Sequence, residues 1–133
     1  MKKRVKVVIE KSLEDNCYWG RIEGDFGIVV GYGLTRPELL ENITSAWELQ
    51  LEDDSNFAKD YRDNYIFEYE YDLQVVFGLF DEIKISKVAQ YANLNPSLIR
   101  QYAKGLANAS EKRKKSIEKA LHRLGKELLE VQL

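Results

Sequence analysis

Cysteine and histidine are nearly missing from this chain, and each absence closes off a chemistry. Cys17 is the only cysteine, so no internal disulfide can form and no second thiol can share a metal ion. A half-buried, small apolar side chain is its expected role. His122 is the only histidine and sits in a helical pattern between Leu121 and Arg123. Neither a zinc centre nor a histidine-activated nucleophile is expected from it. No metal site, catalytic residue or cofactor is therefore assigned, and no enzyme is expected. No apolar run approaches the roughly 20 residues that span a bilayer, so no membrane partner is expected. The basic start Met1-Lys2-Lys3-Arg4 leads into the strand-length stretch Val5 to Ile9 rather than a signal-peptide core. A cytoplasmic location is the expectation. There is no internal repeat, no low-complexity segment and no Ser/Gly-rich linker.

What is present is enough for a folded protein. The 133 residues are 44% apolar and 32% charged, which places the chain among globular rather than disordered sequences. That length can bury one sizeable core or two small ones. The net charge of −2 hides an asymmetry. Met1 to Phe80 holds 9 Lys+Arg against 16 Asp+Glu, a balance of −7. Asp81 to Leu133 holds 11 against 6, a balance of +5. An acidic first part and a basic second part imply two domains facing different partners.

Periodicity divides the chain at about the same place. Val5, Val7 and Ile9 alternate with Lys6, Val8 and Glu10 as a strand. Leu13 to Asn16 reads as a polar turn, Tyr18 to Glu23 as a second strand, Gly24-Asp25 as a hairpin turn and Gly27 to Tyr32 as a third strand. Thr35, Pro37 and Glu38 form a helix start with a capping box. Leu39, Leu40, Ile43, Ala46, Trp47 and Leu51 then repeat at helical spacing, a stripe that should lie on the sheet. Glu52 to Asn64 is mostly polar and reads as a loop. Tyr65, Phe67, Tyr69 and Tyr71 alternate with Ile66, Glu68, Glu70 and Asp72 as a fourth strand. The fold class is α+β: a β-β-β-α-β domain over residues 1–72, then an all-α domain over 73–133. In the second, Leu73 to Phe80, Ser86 to Ala92 and Pro96 to Lys104 read as short helices. Ser110 caps a longer one to Val131, with a possible division at Gly125. The two domains are expected to pack closely or share a helix.

The segment "ISKVAQYANLNPSLIRQYAKG", Ile85 to Gly105, has the makings of two helices joined by a sharp turn. Ala89 is small enough for close approach, Asn93 tolerates positive φ, and Asn95-Pro96 is a cap followed by a first-turn proline. Val88, Ala92, Leu94, Ile99 and Tyr102 would form the shared core. Val88-Ala89, Asn93, Leu94 and Ile99 resemble the helix-turn-helix of the Xre/Cro-like DNA-binding family, with Asn93 where Gly is commoner. Gly105, Asn108 and Ser110 continue the resemblance.

The second helix of such a pair enters the major groove, where each base pair shows a distinct set of donors and acceptors. Ser97, Arg100, Gln101 and Lys104 share one face and are the expected base-reading residues. Ser86, Lys87, Ser110, Lys112, Arg113 and Lys114 are the expected phosphate contacts. The basic run from Lys112 to Lys115 opposes the dipole of its own helix, a conflict that an external anion relieves. Ile117, Leu121, Leu124, Leu128 and Val131 form a heptad-like stripe, read as both internal packing and a dimer interface. A homodimer, or a higher even-numbered oligomer, on double-stranded operator DNA is expected.

The first domain, with "GYGLTRPELLENITSAWE" at its centre, resembles the HicB antitoxin family. The residues that carry the resemblance are Gly31 and Gly33 at the end of the third strand, then Thr35, Glu38, Asn42 and Ala46. It implies a reduced RNase H-like domain that blocks a small HicA-like ribonuclease toxin, joined to a DNA-binding domain that represses the operon. The acidic balance suits a basic, RNA-cleaving partner. The alternative is a stand-alone helix-turn-helix transcription regulator whose α/β domain dimerises, or senses a ligand in a pocket lined by Tyr65 to Tyr71. A nuclease is disfavoured, since two-metal chemistry needs converging carboxylates. Strand alternation is expected to scatter Glu10, Glu23 and Asp25 over different faces. Gly31-x-Gly33 lacks the further Gly and Lys of nucleotide loops and reads as turn chemistry at the strand-to-helix corner.

Overall fold

A computed structural model describes residues 1–133 except Leu13 and Asp15. The turn expected at Leu13 to Asn16 thus lies partly outside the described residues. Among them, the chain is α+β, with one four-stranded mixed sheet and six helices. It divides into two compact units, Met1–Val75 and Val76–Leu133.

The first unit contains β1 (Lys3–Lys11), β2 (Tyr18–Gly24), β3 (Gly27–Gly33), α1 (Arg36–Gln50), α2 (Asn56–Tyr61) and β4 (Tyr65–Tyr71). The sheet order is β3-β2-β1-β4. β1, β2 and β3 form an antiparallel meander, and β4 returns to lie parallel to β1. Alternation sets the inner face: Val5, Val7 and Ile9 of β1, Tyr18 and Ile22 of β2, and Val29 of β3 are buried. α1 covers that face with Leu39, Ile43 and Trp47, all 0% exposed. Its N-cap is Thr35, whose Oγ1 accepts from the Glu38 N–H at 3.3 Å, with Pro37 in the first turn.

Gly31 and Gly33 have a different purpose from the turn role expected of them. Both belong to β3, directly beneath α1. A Cβ on Gly31 would stand 2.7 Å from the Ile43 backbone nitrogen, and one on Gly33 would stand 2.6 Å from that of Leu39. The missing side chains are what let the helix backbone reach the sheet.

The stretch expected as a loop contains α2. Ser55 caps it, accepting from the Ala58 N–H at 3.1 Å, and Ala58 is fully buried. The helix brings two rings to Trp47. Phe57 and Tyr61 lie 5.7 and 5.5 Å from it by centroid, and Phe26, Tyr65 and Phe67 surround it further.

The second unit begins within α3 (Leu73–Leu79), which straddles the division, and Asp72 Oδ1 accepts from the Val75 N–H at the start of that helix. α4 (Ile85–Ala92), α5 (Pro96–Ala103) and α6 (Glu111–Leu129) follow, with α4 packed against both α5 and α6. Val88, Ala89, Ile99, Tyr102, Ile117 and Ala120 form their core. α6 runs unbroken through Gly125, and it stops before Val131. No helix among the described residues is long and apolar enough to cross a membrane.

Candidate functional site

The turn between α4 and α5 is built by residues whose backbone chemistry demands it. Asn93 ends α4 in the left-handed region, at φ 57° and ψ 46°. Asn95 then caps α5, its Oδ1 accepting from the Ser97 N–H at 2.8 Å, and Pro96 opens the helix. Ile99 and Tyr102 turn inward. Ser97, Arg100, Gln101 and Lys104 consequently share the outer face and are all exposed. Among the described residues, Arg100, Gln101 and Lys104 have no ion pair and no side-chain hydrogen bond, so their donors are free for an external acceptor. Lys104 lies at the C-cap, one residue past the helix.

The six expected phosphate contacts are all exposed but not equally free. Lys87 sits over the Tyr91 ring, 4.8 Å from its centroid. Arg113 donates to the Tyr102 hydroxyl at 3.2 Å, and Lys114 pairs with Glu111 at 3.3 Å. Ser86 occupies the first turn of α4, whose N-cap is Lys84, with no side-chain cap bond. Ser110 caps α6, accepting from the Arg113 N–H at 3.2 Å. Lys112 has no ion pair among the described residues. A cleft of about 610 Å³ opens beside the turn, lined by Ala92, Asn93, Leu94, Ser110, Lys112, Arg113 and Ser116. Two cations at a helix N-terminus suit it to an anionic oxygen such as a backbone phosphate.

The residues of the heptad-like stripe differ in burial. Ile117 is fully buried inside the unit and so unavailable to a partner chain. Leu121 and Leu124 are half-buried. Leu128 is exposed, as is Val131, which lies beyond the end of α6. Ala120, three residues after Ile117 and four before Leu124, is buried too and widens the internal face of α6.

One cluster escaped the sequence reading. The Tyr91 hydroxyl donates to Glu127 Oε2 at 2.7 Å, Arg123 stacks on the Tyr91 ring at 3.9 Å, and Arg123 Nε reaches Glu127 Oε1 at 3.2 Å. The Tyr91 hydrogen bond, with Arg123 adding to it, holds the Glu127 carboxyl below its ordinary range. Spacing of four within each helix, Lys87 to Tyr91 and Arg123 to Glu127, was its only sequence signal.

In the first unit, Glu10 and Glu23 share the face of the sheet opposite α1. The expected scattering fails for this pair because the strand register brings both to Arg21, which pairs with each. One guanidinium thus engages both carboxylates and offsets one of their two charges. Tyr65, Phe67, Tyr69 and Tyr71, the row that the alternative reading assigned to a ligand pocket, are half-buried along β4. They form a ladder of ring contacts that begins at Trp47. Arg36 closes its far end, over the Tyr69 ring and within 3.2 Å of the Tyr71 hydroxyl. Burial raises the hydroxyl pKa of Tyr65 and Tyr69. No protein-family model, curated protein or solved structure matches the chain.

Proposed function

We propose that this chain is the antitoxin of a type II toxin–antitoxin system: α4 and α5 form a helix-turn-helix that binds operator DNA, and the acidic unit neutralises a small HicA-like ribonuclease. The observation that carries the DNA half is the left-handed Asn93 turn leading into a capped α5 whose outer face presents Arg100, Gln101 and Lys104 without side-chain partners among the described residues. In this reading α5 enters the major groove. Arg100 forks onto guanine and Gln101 onto adenine, while Lys112 and the α6 N-terminus take phosphates.

The antitoxin half is supported by the resemblance of Gly31, Gly33, Thr35, Glu38, Asn42 and Ala46 to the HicB pattern, and by the −7 balance of the unit that carries them. A meander covered by α1, with β4 returning beside β1, is consistent with a reduced RNase H-like domain. The ligand-sensing form of the stand-alone regulator has less support, because the aromatic row assigned to its pocket is engaged with Trp47 and Arg36.

Two measurements test the two halves separately. Fluorescence anisotropy on the DNA upstream of the chain's own gene should give specific binding that falls steeply with salt; equal affinity for unrelated DNA would overturn the operator reading. Co-expression with the neighbouring open reading frame should yield a complex and restore growth. A neighbour that encodes no small basic ribonuclease, and forms no complex, would sink the antitoxin reading.

A further inference from the structure

The strand β3 lies at one edge of the sheet with its hydrogen-bonding groups facing outward. The register shows which residues these are. Ser12 donates to the Cys17 carbonyl at 2.8 Å where β1 meets β2, so the odd-numbered residues of β2 bond to β1. Its even-numbered residues, Tyr18, Gly20, Ile22 and Gly24, then bond to Gly33, Gly31, Val29 and Gly27. Ile28, Val30 and Tyr32 are left with N–H and C=O groups aimed away from the sheet. Asn42 Nδ2 donates to the Tyr32 carbonyl at 2.7 Å from that open side, which leaves the second lone pair of that oxygen.

Edge strands are ordinarily blunted by charge, proline or a bulge. β4, the other edge, has Glu68 and Glu70, paired with Arg4 at 3.0 Å and Lys6 at 2.7 Å. Of the four described strands β3 alone has no charged residue, and it has no proline. Its outward side chains Ile28, Val30 and Tyr32 are 65, 45 and 56% exposed, and Trp19 packs against the Tyr32 ring at 5.0 Å.

We propose that β3 is the seam of a two-fold homodimer in which the strands of two copies pair antiparallel about Val30, joining two sheets into one of eight strands. The sequence Gly-Ile-Val-Val-Gly-Tyr-Gly is close to self-complementary about Val30. Pairing there sets Val30 against Val30 of the partner subunit and Ile28 against Tyr32 of the partner subunit. Both are the apolar and aromatic cross-strand pairs that stabilise sheets. It satisfies the outward amides of Ile28, Val30 and Tyr32, and leaves the charged β4 strands as the only outer edges. Two acidic units also repel least at their one uncharged strand. The seam belongs to the first unit alone and does not depend on the DNA-binding reading.

Disulfide trapping tests the register in the full chain, in a Cys17→Ala background. Residues facing themselves across the axis are about 5.5 Å apart by Cα, within disulfide reach, so Val30→Cys should give a cross-linked dimer on oxidation. Ile28 is separated from Ile28 of the partner subunit by four residues of strand, about 14 Å, so Ile28→Cys alone should stay uncross-linked. Mixing it with a Tyr32→Cys chain should produce the cross-linked pair, which also reports that both variants fold. Val30→Lys, at an exposed position, should halve the mass measured by sedimentation while the far-UV circular dichroism is unchanged. An undiminished mass, cross-linking of Ile28→Cys as ready as that of Val30→Cys, or a dimer trapped only when a basic protein partner is added would each overturn the seam.

Discussion

The Arg113 guanidinium donates from Nη1 to the Tyr102 hydroxyl at 3.2 Å, tying the first turn of α6 to the buried side of α5. The same cation lines the cleft beside the Asn93 turn. It can position α5 and meet a phosphate at once, because a guanidinium has five donors.

The two roles separate by mutation. Tyr102→Phe should cost about 0.5–1.5 kcal/mol of stability, the ordinary worth of one hydrogen bond, and leave the salt dependence of DNA binding unchanged. Arg113→Ala should weaken binding to all sequences alike and reduce the slope of log affinity against log salt by about one. Titrations at several salt concentrations distinguish them; an equal loss in both variants would mean that Arg113 acts only by holding α5.

Arg100 should behave otherwise, since nothing among the described residues occupies its donors. Arg100→Ala should remove about 1–3 kcal/mol of discrimination at one guanine position while Lys112→Ala leaves base preference intact. Competition with operators substituted one base pair at a time gives the readout. A uniform loss across all positions in Arg100→Ala would place α5 outside the groove.

The turn itself is a stability test. Asn93 holds φ 57°, where a β-carbon normally costs roughly 1–2 kcal/mol and Asn is tolerated by local hydrogen bonding. Asn93→Gly should be neutral within about 0.5 kcal/mol, and Asn93→Val should destabilise by about 1–2 kcal/mol, both read from denaturant midpoints. A stable Asn93→Val variant would show that the turn does not need this backbone.

Local chemistry made much of this legible. The Asn93 turn, the Asn95, Thr35 and Ser110 caps and the alternation of β1 and β4 each depend on residues within a few positions of one another, so the sequence displays them directly. α2 was hidden because it is only six residues long inside the mostly polar stretch from Glu52 to Asn64, and the Trp47 ring that Phe57 and Tyr61 pack on is distant in sequence. The meaning of Gly31 and Gly33 was hidden likewise, since the backbone they make room for comes from α1. Candidate cations were easy to name, but whether Lys87, Arg113 and Lys114 were already engaged required the fold. The open edge of β3 was equally invisible, because an edge is defined by the strand order and not by the strand.

Two glycines should respond in opposite directions to the same change. Gly31→Ala drives a methyl against the α1 backbone and should cost about 2 kcal/mol or more, as overpacked cores do. Gly125→Ala adds a methyl where, beyond the adjoining backbone of its own helix, no described atom lies within 4 Å, and should stabilise by about 0.5–1 kcal/mol. Thermal unfolding of the two variants measures the contrast. A destabilised Gly125→Ala chain would mean that α6 is bent or covered at that point.

The Tyr91–Glu127 contact gives the second unit a pH signature. Tyr91's hydrogen bond lowers the Glu127 carboxyl in the folded state, and Arg123 reinforces it. A depressed folded pKa means that the contribution to stability is complete above the unfolded value and is lost as pH falls through the folded one. Tyr91→Phe keeps the ring under Arg123 and Lys87 but removes the donor, so the Glu127 titration should move up toward the ordinary carboxylate range. Carboxyl-carbon NMR follows that titration directly. The stability gap between the parent chain and Tyr91→Phe should be present at neutral pH and close in acid, once Glu127 is protonated in both. A gap that persists unchanged in acid would mean that the hydroxyl stabilises the unit without acting through the Glu127 charge.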